Sequence, residues 1–260
     1  MDHHAVIGTE ADRLAAVLGA ADPAARCPTC PDWNAHDLLW HLTEVHLFWA
    51  GVLQSGARTD EDVAAIEQAK PVRPEELAGL LALREQATAD LLAQLARLDD
   101  DEPRWSWWAP DQTVGFTRRM QTYEATFHRV DAELTAGRTV GPIAADVAAG
   151  AVDHCVDVMW GWMPDWATYE PLVTAAFDAT DTGQSWTVEI GHWYGVGPES
   201  GNEFDEPRAV RGTGTTTAVT VAASVEQLAL WAWTRGGRVR TDGTQAGLDA
   251  LDALIANGIQ

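Results

Sequence analysis

The chain has 260 residues, 46% of them hydrophobic, which is enough to bury a full core and too apolar for wholesale disorder. With 39 acidic against 17 basic residues the formal charge is −22, which repels phosphate, and no basic stripe offsets it, so a nucleic-acid partner is not expected. No run approaches the roughly 20 apolar residues of a membrane span, and Met1-Asp2-His3-His4-Ala5-Val6 lacks the positive start of an export signal, so a cytoplasmic protein without a membrane partner is expected.

A first helix is expected over about 6 to 20 and a second over about 34 to 54, where Leu38, Leu42, Val45, Trp49 and Val52 form an apolar stripe. Asn34 is placed to cap the second. Between them lies Cys27-Pro28-Thr29-Cys30; the other cysteine is Cys155, so a four-cysteine zinc knuckle cannot be completed. The motif also lacks the strand-to-helix setting of a redox Cys-x-x-Cys, and Cys30-Pro31 and Trp33 are read as shaping the turn into the second helix. His41 and His46 flank the stripe of that helix on opposite sides, whereas His36 falls on its far face.

A third helix is expected over about 73 to 98. The connection from Asp99 to Gly115 holds Trp105, Ser106, Trp107 and Trp108 without helical spacing; it is read as a loop pinned to the core by aromatics, the alternative being the mouth of a pocket. In a fourth helix, about 116 to 136, Phe116, Met120, Tyr123, Phe127, Val130 and Leu134 recur at intervals of four and three, and Gly137 with Gly141-Pro142 ends it. At about 100° per residue, Glu124, His128 and Asp131 lie roughly 60 to 120° to one side of this stripe, facing across a bundle interior. Arg129 lies further round and is read as a surface or inter-domain ion pair.

A helix over about 143 to 163 follows, with His154 in the centre of its apolar stripe and read as a core or site-lining histidine. After Pro164 and Pro171 the pattern changes: Leu172 to Ala179, Ser185 to Gly191 and Thr215 to Ala223 alternate or carry β-branched residues and are expected as strands. His192 sits in strand-like sequence without partner spacing and is read as structural or surface. The segment 191 to 214 is rich in turn formers and acids and is read as a mobile loop; it lacks the Gly-Lys-Ser/Thr ending of a phosphate loop. Helices over about 224 to 234 and 244 to 256 complete the chain.

One helical turn separates Glu124 from His128, so the two can present a carboxylate and an imidazole to one divalent ion. A third ligand is sought on the second helix, where periodicity leaves both His41 and His46 open. Asp131, one turn beyond His128, is placed to orient an imidazole as a hydrogen-bond acceptor, the alternative being a helix-surface acid paired with a nearby base.

Cys30-Pro31-Asp32-Trp33, the helix with Asp37-Leu38-x-x-His41, and the later helix with Glu124-x-x-x-His128-x-x-Asp131 together resemble the mycothiol-dependent maleylpyruvate isomerase family, within the DinB-like superfamily. The stretch Ser224 to Gly243 is similar to that family's second domain. The resemblance implies a divalent metal, usually zinc, held by His41, Glu124 and His128, and mycothiol as thiol cosubstrate. It implies a role for Arg235 in binding a carboxylated substrate or thiol; the alternative is a cation on the last carbonyls of the preceding helix.

The expected fold is therefore α+β: an antiparallel four-helix DinB-like bundle with one further helix over 1–165, then a small α+β domain over 166–260. The expected activity is cis–trans isomerisation or S-transfer of a low-molecular-weight thiol on a small electrophile. A non-catalytic metal-binding or regulatory module of the same fold, and a metal-dependent hydrolase needing no thiol, are the alternatives. Neither the electrophile nor the oligomeric state follows from the sequence.

Overall fold

In the computed structural model, which describes residues 1–256, 258 and 259, the chain divides into two compact units, Met1–Gly141 and Pro142–Gln260. The helix expected over 143–163 groups with the second unit, so the division falls before that helix.

The first unit is helical: α1 (His3–Leu18), α2 (Ala35–Ser55), α3 (Asp60–Ala69), α4 (Leu77–Leu95) and α5 (Val114–Thr135). α5 packs against α1 and α2, and α4 packs against the same two, which gives the four-helix bundle. All of these helices except α4 start where a side chain caps them. Asn34 accepts from the Asp37 amide while Asp37 accepts from the Asn34 amide, a reciprocal box that satisfies two donors at the start of α2. Thr113 does the same half of this work for α5. Gly137, in the left-handed region at φ 65°, ends α5 as the spacing predicts.

The core follows the predicted stripes. Leu38 and Leu42 of α2, Leu80 and Leu91 of α4, and Phe116, Phe127 and Val130 of α5 are essentially inaccessible. α5 is the central helix, buried on nearly all sides, including at Thr117, Gln121, Thr126, Arg129, Asp131 and Glu133. A helix buried all round must find partners for its polar groups within the protein. The site described below is one place where it does so.

α3 was not expected. None of its residues is buried, so it carries no apolar stripe for periodicity to detect. Its local signal is a capping box between Thr59 and Asp62, with Asp60, Glu61 and Asp62 in the first turn.

The second unit holds α6 (Ala145–His154), which runs into a π-helical turn over Cys155–Met159, and a five-stranded sheet. Its strands are β1 (Thr168–Ala179), β2 (Ser185–Val196), β3 (Glu203–Arg211), β4 (Val219–Ala223) and β5 (Arg240–Gly243), in the order β3-β2-β1-β4-β5. β1 and β4 are parallel and every other pair is antiparallel. Trp186, Val188 and Ile190 alternate into the core along β2, where α7 (Val225–Ala232) and α8 (Gln245–Ala256) contribute Leu228, Leu251 and Leu254.

The segment 191 to 214 is a correction. It is mostly a β-hairpin, not a loop: β2 continues to Val196, and β3 returns in register from Glu203. Cross-strand side chains hold it, with Trp193 stacked on Phe204 and His192 Nδ1 donating to Asp205 at 2.5 Å. Pro207 is accommodated because β3 is an edge strand. The run Gly197-Pro198-Glu199-Ser200-Gly201-Asn202 forms its tip. β5 also went unexpected, since its four residues are all exposed.

Candidate metal centre

α2 and α5 run antiparallel, because Thr29, just before α2, contacts Asp131 near the end of α5. This places His41, in the second turn of α2, level with Glu124 and His128. The three ligand atoms lie within 4.8 Å of one another. Nε2 of His41 and Nε2 of His128 each donate to the same oxygen, Glu124 Oε1, at 3.1 Å. The centre is open on one side: the His41 and Glu124 side chains are 28% and 23% exposed, whereas His128 is 4% exposed.

Asp131 is fully buried and determines how His128 is presented. Its Oδ2 accepts from His128 Nδ1 at 2.9 Å, and its Oδ1 accepts from Thr29 Oγ1 at 2.5 Å. Cys30 Sγ lies 3.9 Å from Oδ2 as a further donor. Because Nδ1–H is committed to Asp131, His128 can lose only its Nε2 proton on turning toward a cation, the tautomer a metal requires.

The electrostatics follow from this packing. Burial alone would lower the His128 pKa, but the Glu124 charge and the hydrogen bonds to Asp131 and Glu124 outweigh it and raise the value to about 9. Burial pushes the Glu124 carboxyl up, and the His128 charge with the hydrogen bonds from His128 and His41 reverses this and holds it well below the usual carboxylate range. His41, Glu124 and His128 would hold a divalent cation in exchange for the two ring protons now shared with Glu124. Two imidazoles and one carboxylate are a suitable donor set for zinc and leave the ion net positive.

Trp33 forms a wall of the centre, its ring 4.5 Å from that of His41 and 6.1 Å from that of His128. From the sequence Trp33 belongs to the turn before α2 and to the Cys-Pro-x-Trp pattern of the resemblance, with no sign that it lines the centre. Thr29 and Cys30 were likewise missed as partners of Asp131, and no spacing rule links residues so far apart in the chain. His46 is fully buried on the side of α2 toward α4. Thr88 gives its hydroxyl proton to the Arg84 carbonyl, so it must accept from His46 Nδ1 at 2.9 Å. Burial pulls the His46 pKa down to about 3, and its Nε2 has no hydrogen-bond partner among the described residues. His36 accepts from Arg73 on the flank of the bundle.

Arg129 is a second correction. It is fully buried and not at the surface: its guanidinium donates to Glu10 at 2.6 Å, to Glu133 at 2.9 Å and to the Gly141 carbonyl at 3.0 Å. The charged residues of α1 and the carbonyl at Gly141 supply what its own helix does not. In the loop over 99–115, Trp105 donates to Asp60 and packs beside Phe48 and Trp49, while Trp107 meets Phe116 edge to face.

In the second unit, Arg235 is buried at the turn after α7. Its guanidinium donates to the Trp233 carbonyl at 2.8 Å and to the Ile259 carbonyl. His154 stacks on Trp233. His192 is partly exposed on β2, between Asp205 and Glu170.

Residues 4–133 match the family described as the mycothiol maleylpyruvate isomerase N-terminal domain. No curated protein matches the chain. Among solved structures the chain is similar to the mycothiol-dependent maleylpyruvate isomerase and to a histidine-to-alanine mutant of that enzyme. Each shares 14% identity and a TM-score of 0.58, over 93% of this chain and 92% of the other. At that identity the likeness is one of fold.

Proposed function

Because the chain belongs to the mycothiol maleylpyruvate isomerase N-terminal domain family, we propose that it is a divalent-metal-dependent enzyme that activates mycothiol for cis–trans isomerisation or S-transfer on a small electrophile, with maleylpyruvate the first substrate to test. The observation that carries this reading is the convergence of His41, Glu124 and His128 on one point, with Asp131 fixing the tautomer of His128.

His41, Glu124 and His128 would hold the zinc, which when bound would supply the Lewis acidity that makes a thiol a thiolate near neutral pH. The residues supply the rest. Glu124 contributes the single negative charge that keeps the centre cationic overall, and Asp131 holds the His128 ring in place. Trp33 covers the imidazoles on one side, while the exposed edge of His41 and Glu124 leaves an approach for thiol and substrate. In the isomerisation, the thiolate adds to the cis double bond, the bond rotates as a single bond, and elimination returns the thiolate with the trans product. Within the second unit, Arg235 is the candidate for binding a substrate carboxylate, its guanidinium being suited to a planar anion.

The test is turnover of maleylpyruvate by zinc-loaded protein with and without mycothiol. Conversion only when both are present, lost in His128→Ala, is the expected result. Cleavage of the substrate by water without thiol would replace this reading with a metal-dependent hydrolase, and isomerisation without thiol would overturn the thiol dependence. Arg235→Lys should raise KM for the carboxylated substrate more than it lowers kcat and leave zinc content unchanged.

A further inference from the structure

From the sequence Cys30 shapes the turn into α2 and Cys27-Pro28-Thr29-Cys30 lacks the strand-to-helix setting of a redox motif, but the surroundings of the two cysteines give them a second property. Cys27 Sγ, Cys30 Sγ and a carboxylate oxygen of Asp131 lie within 4.8 Å of one another. Cys27 also contacts Thr29 Oγ1 at 3.4 Å, and that hydroxyl donates to Asp131. The segment therefore ends on the carboxylate that orients His128. Both cysteines are thiols, 1% and 3% exposed, in a stretch where Pro28, Pro31 and Asp32 are open to solvent.

We propose that Cys27 and Cys30 are a redox site: by exchange with a small organic disulfide they close to an intramolecular disulfide, and closure withdraws Cys30 from Asp131 and loosens the hold of that carboxylate on His128. The reaction balances as two protein thiols and one disulfide R–S–S–R giving the Cys27–Cys30 disulfide and two R–SH. Cys27 attacks first, forming a mixed disulfide and releasing one R–SH; Cys30 then attacks Cys27 Sγ and releases the second. The two electrons pass to the organic disulfide, and the two thiol protons leave on the released thiols.

The roles of the two cysteines differ for a physical reason. Cys27 meets the Thr29 hydroxyl at 3.4 Å, not the Asp131 carboxylate, and is the thiol placed to attack. Cys30 faces the Asp131 carboxylate and stays a donor. Cys155, in the second unit, is held protonated by burial and is no competitor. A second metal site on the same three residues is disfavoured because both oxygens of Asp131 are engaged, one by Thr29 and one by His128. A reducing compartment keeps such a pair as thiols at rest, so closure records a rise in disulfide. The choice of oxidant rests on the proposed thiol dependence, since the disulfide of the cosubstrate is the oxidant such an enzyme meets; the dithiol geometry does not depend on it.

The test treats reduced full-length protein with hydroxyethyl disulfide and reads three quantities. Intact mass is expected to fall by two hydrogens, with peptide mapping linking Cys27 to Cys30. Zinc affinity, by competition with a chromophoric chelator, should fall about tenfold and return with dithiothreitol, the size usual when the partner of a ligating histidine is disturbed. The nitrogen resonances of the His128 ring should shift on oxidation with or without zinc. Cys27→Ser should bind zinc as the reduced wild type does and show no oxidation-dependent change in affinity.

A stable mixed disulfide without closure would overturn the proposal. So would closure that leaves both zinc affinity and the His128 resonances unchanged, or a second equivalent of zinc lost in Cys27→Ser. If the reduced protein binds no zinc, the proposed function fails, while the mass and the His128 resonances still decide the redox site.

Discussion

His128 makes hydrogen bonds from both ring nitrogens to carboxylates, and each has a separate consequence. The bond to Asp131 orients the ring; Asp131→Asn keeps the shape of the acceptor but removes its charge, and is expected to weaken zinc binding by about 10- to 100-fold in a chelator competition. Wild-type affinity in that variant would mean that Asp131 serves only the packing of α5. The Glu124 charge, with the hydrogen bonds to Asp131 and Glu124, raises the proton affinity of the ring, so the metal-free protein gains stability that is complete below about 6.5, the unfolded value, and is lost as pH rises through about 9.

His46 acts in the opposite sense. Its folded pKa of about 3 lies below the unfolded value, so its contribution is complete above about 6.5 and is lost as pH falls toward 3. Chemical denaturation of the chelated protein should therefore show stability declining on both flanks. The acid flank should flatten in His46→Gln and the alkaline flank in His128→Asn, by up to about 1.4 kcal/mol per pH unit. An unchanged profile in both variants would contradict these assignments. At this scale the sequence was only partly legible. The Glu124–His128 spacing marked two candidate ligands, periodicity left His41 and His46 equivalent, and the family resemblance chose His41; in the structure the packing of α2 against α4 gives His46 to Thr88. The partners of Asp131 come from a loop distant in sequence and left no trace in any spacing.

Among the elements, α5 is the one on which the first unit depends. It is buried all round, and its internal charges are matched by other elements: Arg129 by Glu10 of α1 and by its own Glu133, and Glu133 in turn by Arg13 and the Gly141 amide. Arg129→Ala leaves two carboxylates without their common cation and is expected to destabilise the protein by about 3–5 kcal/mol, measured by urea denaturation. A loss under about 1 kcal/mol, the scale of an exposed pair, would show that the network is better solvated than its burial implies.

Legibility among the elements tracked burial. α2 and α5 have an apolar side to repeat, and their spacing and caps located them. α3 and β5 bury nothing, so their only signals are local. The hairpin of β2 and β3 was obscured because its tip is concentrated in glycine, proline and acids, while its pairing depends on Trp193, Phe204 and His192, contacts that a linear pattern does not contain.

For the whole molecule, the metal is expected to link the site to the stability of the fold. A cation bound by α2 and α5 binds the folded chain and not the unfolded one; at 100-fold excess over its dissociation constant it adds about 2.7 kcal/mol. Scanning calorimetry should show a higher Tm with zinc than with chelator. An unchanged Tm with zinc demonstrably bound would mean that the unfolded chain holds it equally well. The two-part organisation was legible from the change of pattern after Pro164, while the place of α6 was not, since a helix with an apolar stripe can belong to either neighbour and only its contacts with α7 assign it.

The central claim is that His41, Glu124 and His128 hold a metal that takes a thiol. Calorimetric titration of mycothiol into protein carrying a measured equivalent of zinc tests it most directly, with His41→Ala, His128→Ala and His36→Ala alongside. The account predicts about one zinc per chain, saturable thiol binding with proton release, both lost in His41→Ala and His128→Ala with the fold retained, and both kept in His36→Ala. Stoichiometric zinc in the two ligand variants, or zinc in the wild type with no heat of thiol binding, would contradict it.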